Sequence, residues 1–312
     1  MQGSHEAHVV ILLAVYEGAE FLPDQLQSIA AQTHAGWQVL ASDDGSGDAS
    51  RDILESFASA HPARCLPGPR AGAAENFLSL IRRAPEHAPA GHWLAFCDQD
   101  DVWLPDKLAR GIAALGAWDD PRPALYCSRT WITDADLANR RKSAARPRPP
   151  SFRNALVQNV ASGNTILLNP AATRLVEEAA REIERVVVHD WWVYQLITGA
   201  GGRVVHDDEP SLLYRQHDVN QIGSNDTRLA RLRRIRQLLK GHFRDWNEVN
   251  IAALMQLRAR LTPENRAILA DFVAMRQGPL PARLVRLWRL GLYRQSRVST
   301  FALWLSLVLK RI

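Results

Sequence analysis

Residues 93–107 read Trp93-Leu-Ala-Phe-Cys-Asp-Gln-Asp-Asp-Val-Trp-Leu-Pro-Asp-Lys107. A short apolar run ends abruptly in Asp98, Asp100 and Asp101, and a helical pattern begins after Pro105. Carboxylates two apart on extended backbone point the same way, so Asp98 and Asp100 could face one pocket. Their mutual repulsion is relieved if a divalent cation sits between or beside them. A hard cation held by one or two carboxylates completes its shell with water and substrate phosphates, which points to a nucleotide. The competing reading is an acidic turn capping the next helix, because Asp favours helix starts whatever the function. On its own the stretch supports both.

Upstream, residues 9–15 form a continuous apolar run rich in β-branched side chains, the pattern of a strand buried on both faces of a parallel sheet. Residues 21–32 carry Phe21, Leu22, Leu26, Ile29 and Ala30 at helical spacing. A second strand over 37–41 runs into Ser42-Asp-Asp-Gly-Ser-Gly-Asp48, and a helix is expected from 49 to 60. Strand, helix, strand, helix is the opening of a doubly wound α/β fold with a mostly parallel sheet and flanking helices. Ligands in such sheets bind beyond the carboxyl ends of the strands, and the acidic clusters at Asp43 and Asp98 both lie at such ends. For Asp43-Asp-Gly-Ser the competing reading is an ordinary turn and helix cap.

Downstream, residues 107–118 read as a helix, 125–132 as one strand, and 140–150 as a basic, proline-rich loop. Residues 161–168 read as a polar turn feeding a strand, and 170–184 as a helix. His189 and Asp190 come just ahead of a helix carrying Trp191 and Trp192, and short strands over 204–206 and 211–214 lead into Arg215-Gln-His217. The texture changes near residue 225. Residues 1–225 are expected to form the α/β domain, and 226–312 a basic helical region rich in Arg and Leu.

With 312 residues, 46% hydrophobic and 23% charged, the chain is long enough to bury a sizeable core and is neither disordered nor fibrous in composition. Cys65, Cys97 and Cys127 are odd in number and widely spaced, without a CxxC, which excludes a disulfide framework or zinc site and fits a reducing cytoplasm. The first residues lack the basic and apolar segments of a signal peptide. The longest apolar run, residues 301–309, falls short of the ~20 residues a membrane-spanning helix needs. The net charge of +5 would attract nucleic acid, but carboxylates in the expected site repel phosphate unless a metal intervenes, so no nucleic-acid partner is expected.

Taken in order, these pieces resemble the family 2 glycosyltransferases of the GT-A fold, and among them the bacterial rhamnosyltransferase-like branch. The matching segments are Ile11-Leu-Leu-Ala-Val-Tyr16, Phe21-Leu-Pro-Asp-Gln-Leu-Gln-Ser-Ile29 with Gln32-Thr33, Ser42-Asp-Asp-Gly-Ser46, Asn76-Phe77, and Phe96-Cys-Asp-Gln-Asp-Asp-Val-Trp103. Gly163-Asn-Thr165, His189-Asp-Trp-Trp192 and Leu213-Tyr-Arg-Gln-His217 continue the match over residues 8–225. Val15 and Glu17 depart from it, since relatives often carry Thr and Asn there.

The resemblance implies a metal motif at Asp98-Gln99-Asp100, with Asp100 and Asp98 holding Mg²⁺ or Mn²⁺ and Asp101 behind them. His217 would complete the metal shell, and Arg215 would meet phosphate. Asp43 is similar to the Asp that binds the pyrimidine base, with Ala14, Tyr16, Glu17, Asp44, Asn76 and Gln99 around the donor. Asp190 resembles the general base of inverting members, with Trp191, Trp192 and Asn164 on the acceptor side; Arg70 is a further candidate. The competing readings are a helix cap for Asp190 and simple core for the two Trp residues. A metal-dependent inverting transfer is therefore expected, of L-rhamnose from dTDP-rhamnose to a surface glycan or lipid-linked acceptor. The processive Gln-x-x-Arg-Trp pattern is absent, so one sugar per binding event is expected. Basic amphipathic stretches at 228–240 and 280–312 suit peripheral contact with the cytoplasmic face of the inner membrane, or equally packing on the catalytic domain or a homodimer contact. The rival readings are a nucleotidyltransferase or other nucleotide-dependent transferase, and a non-enzymatic membrane or nucleic-acid binding module.

Overall fold

The computed structural model describes residues 7–116, 120–217 and 242–312. The expected boundary near 225, the amphipathic stretch 228–240 and the last residues of the helix expected at 107–118 lie outside the described residues, as do residues 1–6. The strands are β1 (Val9–Val15), β2 (Trp37–Asp43), β3 (Ala63–Pro67), β4 (Trp93–Cys97), β5 (Val102–Trp103), β6 (Ala124–Ser128), β7 (Trp131–Thr133), β8 (Arg141–Lys142), β9 (Leu167–Leu168), β10 (Arg203–Asp207) and β11 (Leu212–Arg215). Helices α1 (Leu22–Ala30), α2 (Ser50–Ala60), α3 (Ala73–Arg83), α4 (Lys107–Gly116), α5 (Phe152–Ala155), α6 (Pro170–Ala180) and α7 (His189–Gly199) alternate with them. Four more follow: α8 (His242–Gln256), α9 (Pro263–Gln277), α10 (Leu280–Leu290) and α11 (Arg297–Val308).

A seven-stranded sheet runs in the order β10-β6-β9-β4-β1-β2-β3, with β9 antiparallel to both neighbours and the other pairings parallel. The central β1 is buried along its whole length. Its side chains alternate as a pleat requires: Val9, Ile11, Leu13 and Val15 pack with Leu22, Leu26, Leu54 and Leu108 of α1, α2 and α4, while Val10 and Leu12 face α3, α6 and α7. Each such side chain contributes about 1.5–3 kcal/mol on burial, so the sheet register is strongly specified. That register sets Leu13 beside Cys97 and Val15 beside Asp43. The acidic ends of β2 and β4 therefore open on the same edge of the sheet.

A second, four-stranded sheet has the order β5-β11-β7-β8. Its pairing of Leu213 with Val102 lays the end of β11 against the acidic loop after β4. Residues 125–132, expected as one strand, are two: the chain leaves the main sheet after Ser128 and joins the second sheet at Trp131. Strand β3 was not expected, because it is a half-exposed edge strand without an apolar alternation. The basic loop 140–150 is anchored at several points: it contains β8, Arg129 donates to Ser143 O, and Arg148 N donates to Gln295 Oε1 at 3.0 Å. All three cysteines are free thiols.

Helices α8 to α11 pack onto the α7 side of the main sheet. Leu254, Leu257, Leu269, Phe272, Leu287, Leu303 and Leu307 belong to the same buried cluster as Leu12, Phe96 and Trp192. Among the described residues no helix is long and apolar enough to cross a membrane.

Candidate active site

At the end of β1 the chain turns through Tyr16, Glu17 and Gly18, and this turn is stitched to the start of α2. Glu17 N donates to Ser46 Oγ, Gly18 N to Ser50 Oγ and Ala19 N to Asp48 Oδ2, while Gly47 N donates to Glu17 Oε1. Glu17 takes a left-handed backbone conformation, φ 49°, to make the turn. Ala14 is buried at the strand end, and Tyr16 is exposed. Asp43 accepts from Ser46 N and Ser46 Oγ, so one of its oxygens is spent on the local turn. Asp44 is buried and accepts from Arg70 N and Gly72 N at 2.6 and 2.8 Å, which fastens the β3–α3 loop over the end of β2. Asn76 donates to Ser42 O at 3.0 Å and leaves its own Oδ1 without a protein partner. A cleft of about 380 Å³ opens here, lined by Asp43, Gly45, Cys65, Gly68 and Arg70.

The acidic loop sits next to this turn. Gln99 Oε1 accepts from Tyr16 N at 2.8 Å and Gln99 Nε2 donates to Tyr16 O at 3.0 Å, a two-way clasp joining the ends of β1 and β4. Asp98 is half-buried. Burial raises its carboxyl to about 8, and the charges of Asp100 and Asp190 push the same way. Asp101 is fully buried, accepting from Asn164 Nδ2 at 2.5 Å and Arg215 N at 3.3 Å. Burial, with the charges of Asp100 and Asp98, holds it well above the usual carboxylate range. Lys107 is buried nearby with Nζ 3.9 Å from the Trp103 ring, and burial brings it down to about 8 against the pull of Cys97 and Asp101.

Two residues of the closing segment reach the same loop. His217 Nε2 lies 2.9 Å from Asp100 Oδ2 and its ring packs 4.8 Å from that of Phe21. Arg215, expected to meet phosphate, is instead turned into the protein. It is buried, with Nε on Asp100 O at 3.0 Å, a further bond to Ala135 O, an ion pair to Asp24 at 2.8 Å, and its guanidinium over the Phe21 ring. A cation so placed pairs with Asp24 and braces the acidic loop. Phe21 and Asp24 were legible in the Phe21-Leu-Pro-Asp24 segment, but nothing in their spacing disclosed this partnership.

Helix α7 starts at His189, two residues before the expected start, so Asp190 lies in its first turn and Val188 takes the cap position. Its Oδ1 accepts from Trp191 N at 2.6 Å and its Oδ2 from Gly163 N at 3.0 Å, and Asn159, which the sequence did not single out, adds a side-chain bond. These bonds favour the ionised form, yet burial outweighs them and raises Asp190 to about 6. Trp191 and Trp192, expected on the acceptor side, are packed in the core. Trp191 is 4% exposed, bonds Ala155 O through Nε1 and stacks on Phe243 of α8; Trp192 is fully buried. Asn164 is also buried, its amide on Asp101. None of the three offers an open face; α8 covers Trp191 through Phe243.

Asp98, Asp100 and His217 suit a hard divalent cation in the chemistry of their donors, two carboxylates and an imidazole, and in the excess negative charge registered by Asp98. Among the described residues no three His, Cys, Asp or Glu side chains, these included, are grouped so that together they could hold a metal ion. A cation here would rely on oxygens from elsewhere, as expected of an ion shared with a phosphate.

A family model described as glycosyl transferase family 2 matches residues 10–169. The chain is 27% identical over 231 residues to the dTDP-rhamnosyl transferase RfbG of Shigella flexneri, covering 72% of this chain and 78% of that protein. Among solved structures it is similar to the mannosyltransferase PcManGT of Pyrobaculum calidifontis in complex with GDP-Man and Mn²⁺, with TM-score 0.50 and 17% identity over 99% of this chain and 86% of that one. It is also similar to TarS 1-349 of S. aureus in complex with UDP-GlcNAc, with TM-score 0.55 and 12% identity over 97% and 89% of the two chains. The structural likeness is one of fold, the GT-A architecture of a central sheet flanked by helices.

Proposed function

The chain belongs to glycosyl transferase family 2, and from that premise we propose that it moves a sugar from a nucleotide-sugar to a hydroxyl of a surface glycan or lipid-linked acceptor, with inversion at the anomeric carbon. The observation that carries this reading is the contact of His217 with Asp100 at 2.9 Å, beside the acidic ends of β2 and β4 that open on one edge of the sheet. The donor lies along the ends of β1, β2 and β4. Asp43 takes the base with its remaining acceptor capacity, Ala14, Tyr16 and Glu17 form the wall beside it, and Asp44, Arg70 and Asn76 hold the loop beneath. Gln99 locks the floor. Asp100 and His217, with Asp98 alongside, would hold Mg²⁺ or Mn²⁺, which when bound would supply positive charge to the leaving diphosphate.

Asp190 is the general base. Raised to about 6, its carboxyl is largely ionised at neutral pH yet more basic than a free carboxylate, which suits proton removal in the transition state. Gly163 N, Trp191 N and the Asn159 side chain hold the carboxylate in place, and a carboxylate has acceptor capacity beyond those three bonds. The acceptor O–H proton passes to Asp190, the acceptor oxygen bonds the anomeric carbon, and the bond from that carbon to the diphosphate oxygen breaks with its electrons leaving on the diphosphate. One base and no protein nucleophile give a single displacement, hence inversion. Arg215 acts as a positioning residue for the Asp100 loop, and Trp191, Trp192 and Asn164 form the packed wall behind the acceptor side.

The similarity to a dTDP-rhamnosyl transferase over most of both chains favours dTDP-rhamnose as donor. Thermal-shift measurements with dTDP-, UDP- and GDP-sugars, with and without Mn²⁺, test donor and metal together. A donor present at about 100 times its Kd stabilises the fold by about 2.7 kcal/mol. The expected result is the largest shift with dTDP-rhamnose plus Mn²⁺. No shift with any sugar nucleotide, in either condition, sinks the reading; a larger shift with another donor corrects the sugar and keeps the site.

A further inference from the structure

Helix α11 is apolar on all sides, with Phe301, Leu303, Trp304, Leu305, Leu307 and Val308 spread around its circumference. Such a helix is ordinarily enclosed by protein. Here only one stripe is: Leu303 and Leu307 enter the main core, whereas Val298, Phe301 and Leu305, at the spacing of a second stripe, are 78%, 72% and 49% exposed. The neighbouring α10 repeats the division, burying Leu287 and Leu290 while Trp288 stands 73% exposed and Val285 is exposed beside it. Two packed helices thus each hold one apolar stripe in the protein and turn another outward.

The charge around these stripes says what covers them. Residues 280–312 contain Arg283, Arg286, Arg289, Arg294, Arg297, Lys310 and Arg311 and not one Asp or Glu. Arg289, Arg297, Lys310 and Arg311 are exposed on the same two helices and their ends. Two copies of so one-sided a surface would repel each other, and an apolar face inside an unbalanced cationic rim is complementary to a lipid surface with anionic headgroups. An exposed Trp beside aliphatic side chains is the residue mix that settles at the headgroup level.

We propose that α10 and α11 form a docking face for an anionic lipid bilayer, with Trp288, Val298, Phe301 and Leu305 entering the interface and Arg289, Arg297, Lys310 and Arg311 meeting the headgroups. The helices lie on the membrane without crossing it. The inference stands on the exposed stripes and their charge, apart from the sugar-transfer reading, and its test measures binding alone.

Co-sedimentation of the full chain with vesicles of phosphatidylglycerol and phosphatidylethanolamine, against vesicles of phosphatidylcholine, is the direct measurement. Strong partition into the anionic vesicles is expected, falling with added salt, and about tenfold or more weaker in the double variant Phe301→Asp, Trp288→Ser. Arg289→Ala with Arg297→Ala should weaken binding to anionic vesicles while leaving the residual binding to phosphatidylcholine unchanged. Both pairs are on the surface, and unchanged thermal unfolding verifies that the fold is intact. Equal binding of wild type and the Phe301, Trp288 variant overturns the proposal. So does a vesicle-independent dimer, seen by light scattering, that the same variant converts to monomer.

Discussion

At the scale of single residues, the site is a set of carboxylates given different tasks by their surroundings. Asp190 is raised by burial to about 6 and checked by two backbone donors. As the base it must be ionised, so kcat for sugar transfer should climb through about pH 6 and level off above it. Asp190→Asn keeps the size of the side chain and removes the acceptor of the proton; transfer should fall by about 10²–10⁴ while donor binding by thermal shift is retained. A variant that turns over at the wild-type rate would exclude Asp190 from that role. Asp100→Ala should abolish the stabilisation of the fold by Mn²⁺ in the presence of a nucleotide diphosphate, as followed by melting temperature. His189 offers a separate check on burial. Its ring is stacked 3.8 Å from that of Phe77 and burial lowers it to about 3, below its unfolded value near 6.5. The unfolded chain then binds the extra proton as pH drops, so stability is lost below about pH 6.5 by up to ~1.4 kcal/mol per pH unit from this group. Urea unfolding between about pH 7 and pH 5 should show that slope, and His189→Gln should remove its share.

At the scale of elements, the turn Gly163–Thr165 joins the two halves of the site. Gly163 N holds Asp190, and the next residue, Asn164, holds Asp101. A Cβ on Gly163 would stand 2.7 Å from His189 Nε2 and 3.4 Å from Asp190 Cβ. Gly163→Ala must therefore push the start of α7 away from the acidic loop. Overpacking of this kind costs about 1–3 kcal/mol, whereas a base displaced by about 1 Å can cost about 10²-fold in rate. A fall in kcat much larger than the change in stability accounts for, with the donor-binding shift preserved, is the expected outcome of paired kinetic and unfolding measurements. Equal, modest losses in both would mean that the turn serves the fold alone.

At the scale of the whole molecule, residues from both sides of the expected boundary near 225 belong to one buried cluster. Trp191 of α7 stacks on Phe243 of α8, Thr262 N and Asn265 Nδ2 donate to Gly199 O, and Arg260 pairs with Glu178 and Glu182 of the α6 segment. We therefore expect the full chain to unfold in one cooperative transition. A chain cut after residue 225 uncovers Trp191 and neighbouring side chains worth about 1.5–3 kcal/mol each, against a total stability of about 5–15 kcal/mol. It should be insoluble, or bind a hydrophobic dye. Two well-separated calorimetric transitions in the full chain, with a well-folded fragment 1–225, would show two independent units.

Much of this was legible in the chain itself. The β-branched run at 9–15, the helical spacing after Phe21 and the acidic ends at Asp43 and Asp98 dictated alternating strands and helices with polar loops on one edge, because side-chain periodicity and burial are local properties of sequence. What those loops do to one another was not local. The pairing of Leu213 with Val102 brings His217 to Asp100 across 117 residues and turns Arg215 inward to Asp24 across 191. The cover that α8 lays over Trp191 decides that this ring is a wall rather than an open contact. These outcomes depend on strand register and on the docking of distant helices, where packing selects one partner among several that the sequence leaves equally plausible. The acidic turn was thus determined by sequence, and the division of its three carboxylates by tertiary structure: Asp101 buried against Asn164, Asp100 facing His217, and Asp98 raised chiefly by burial.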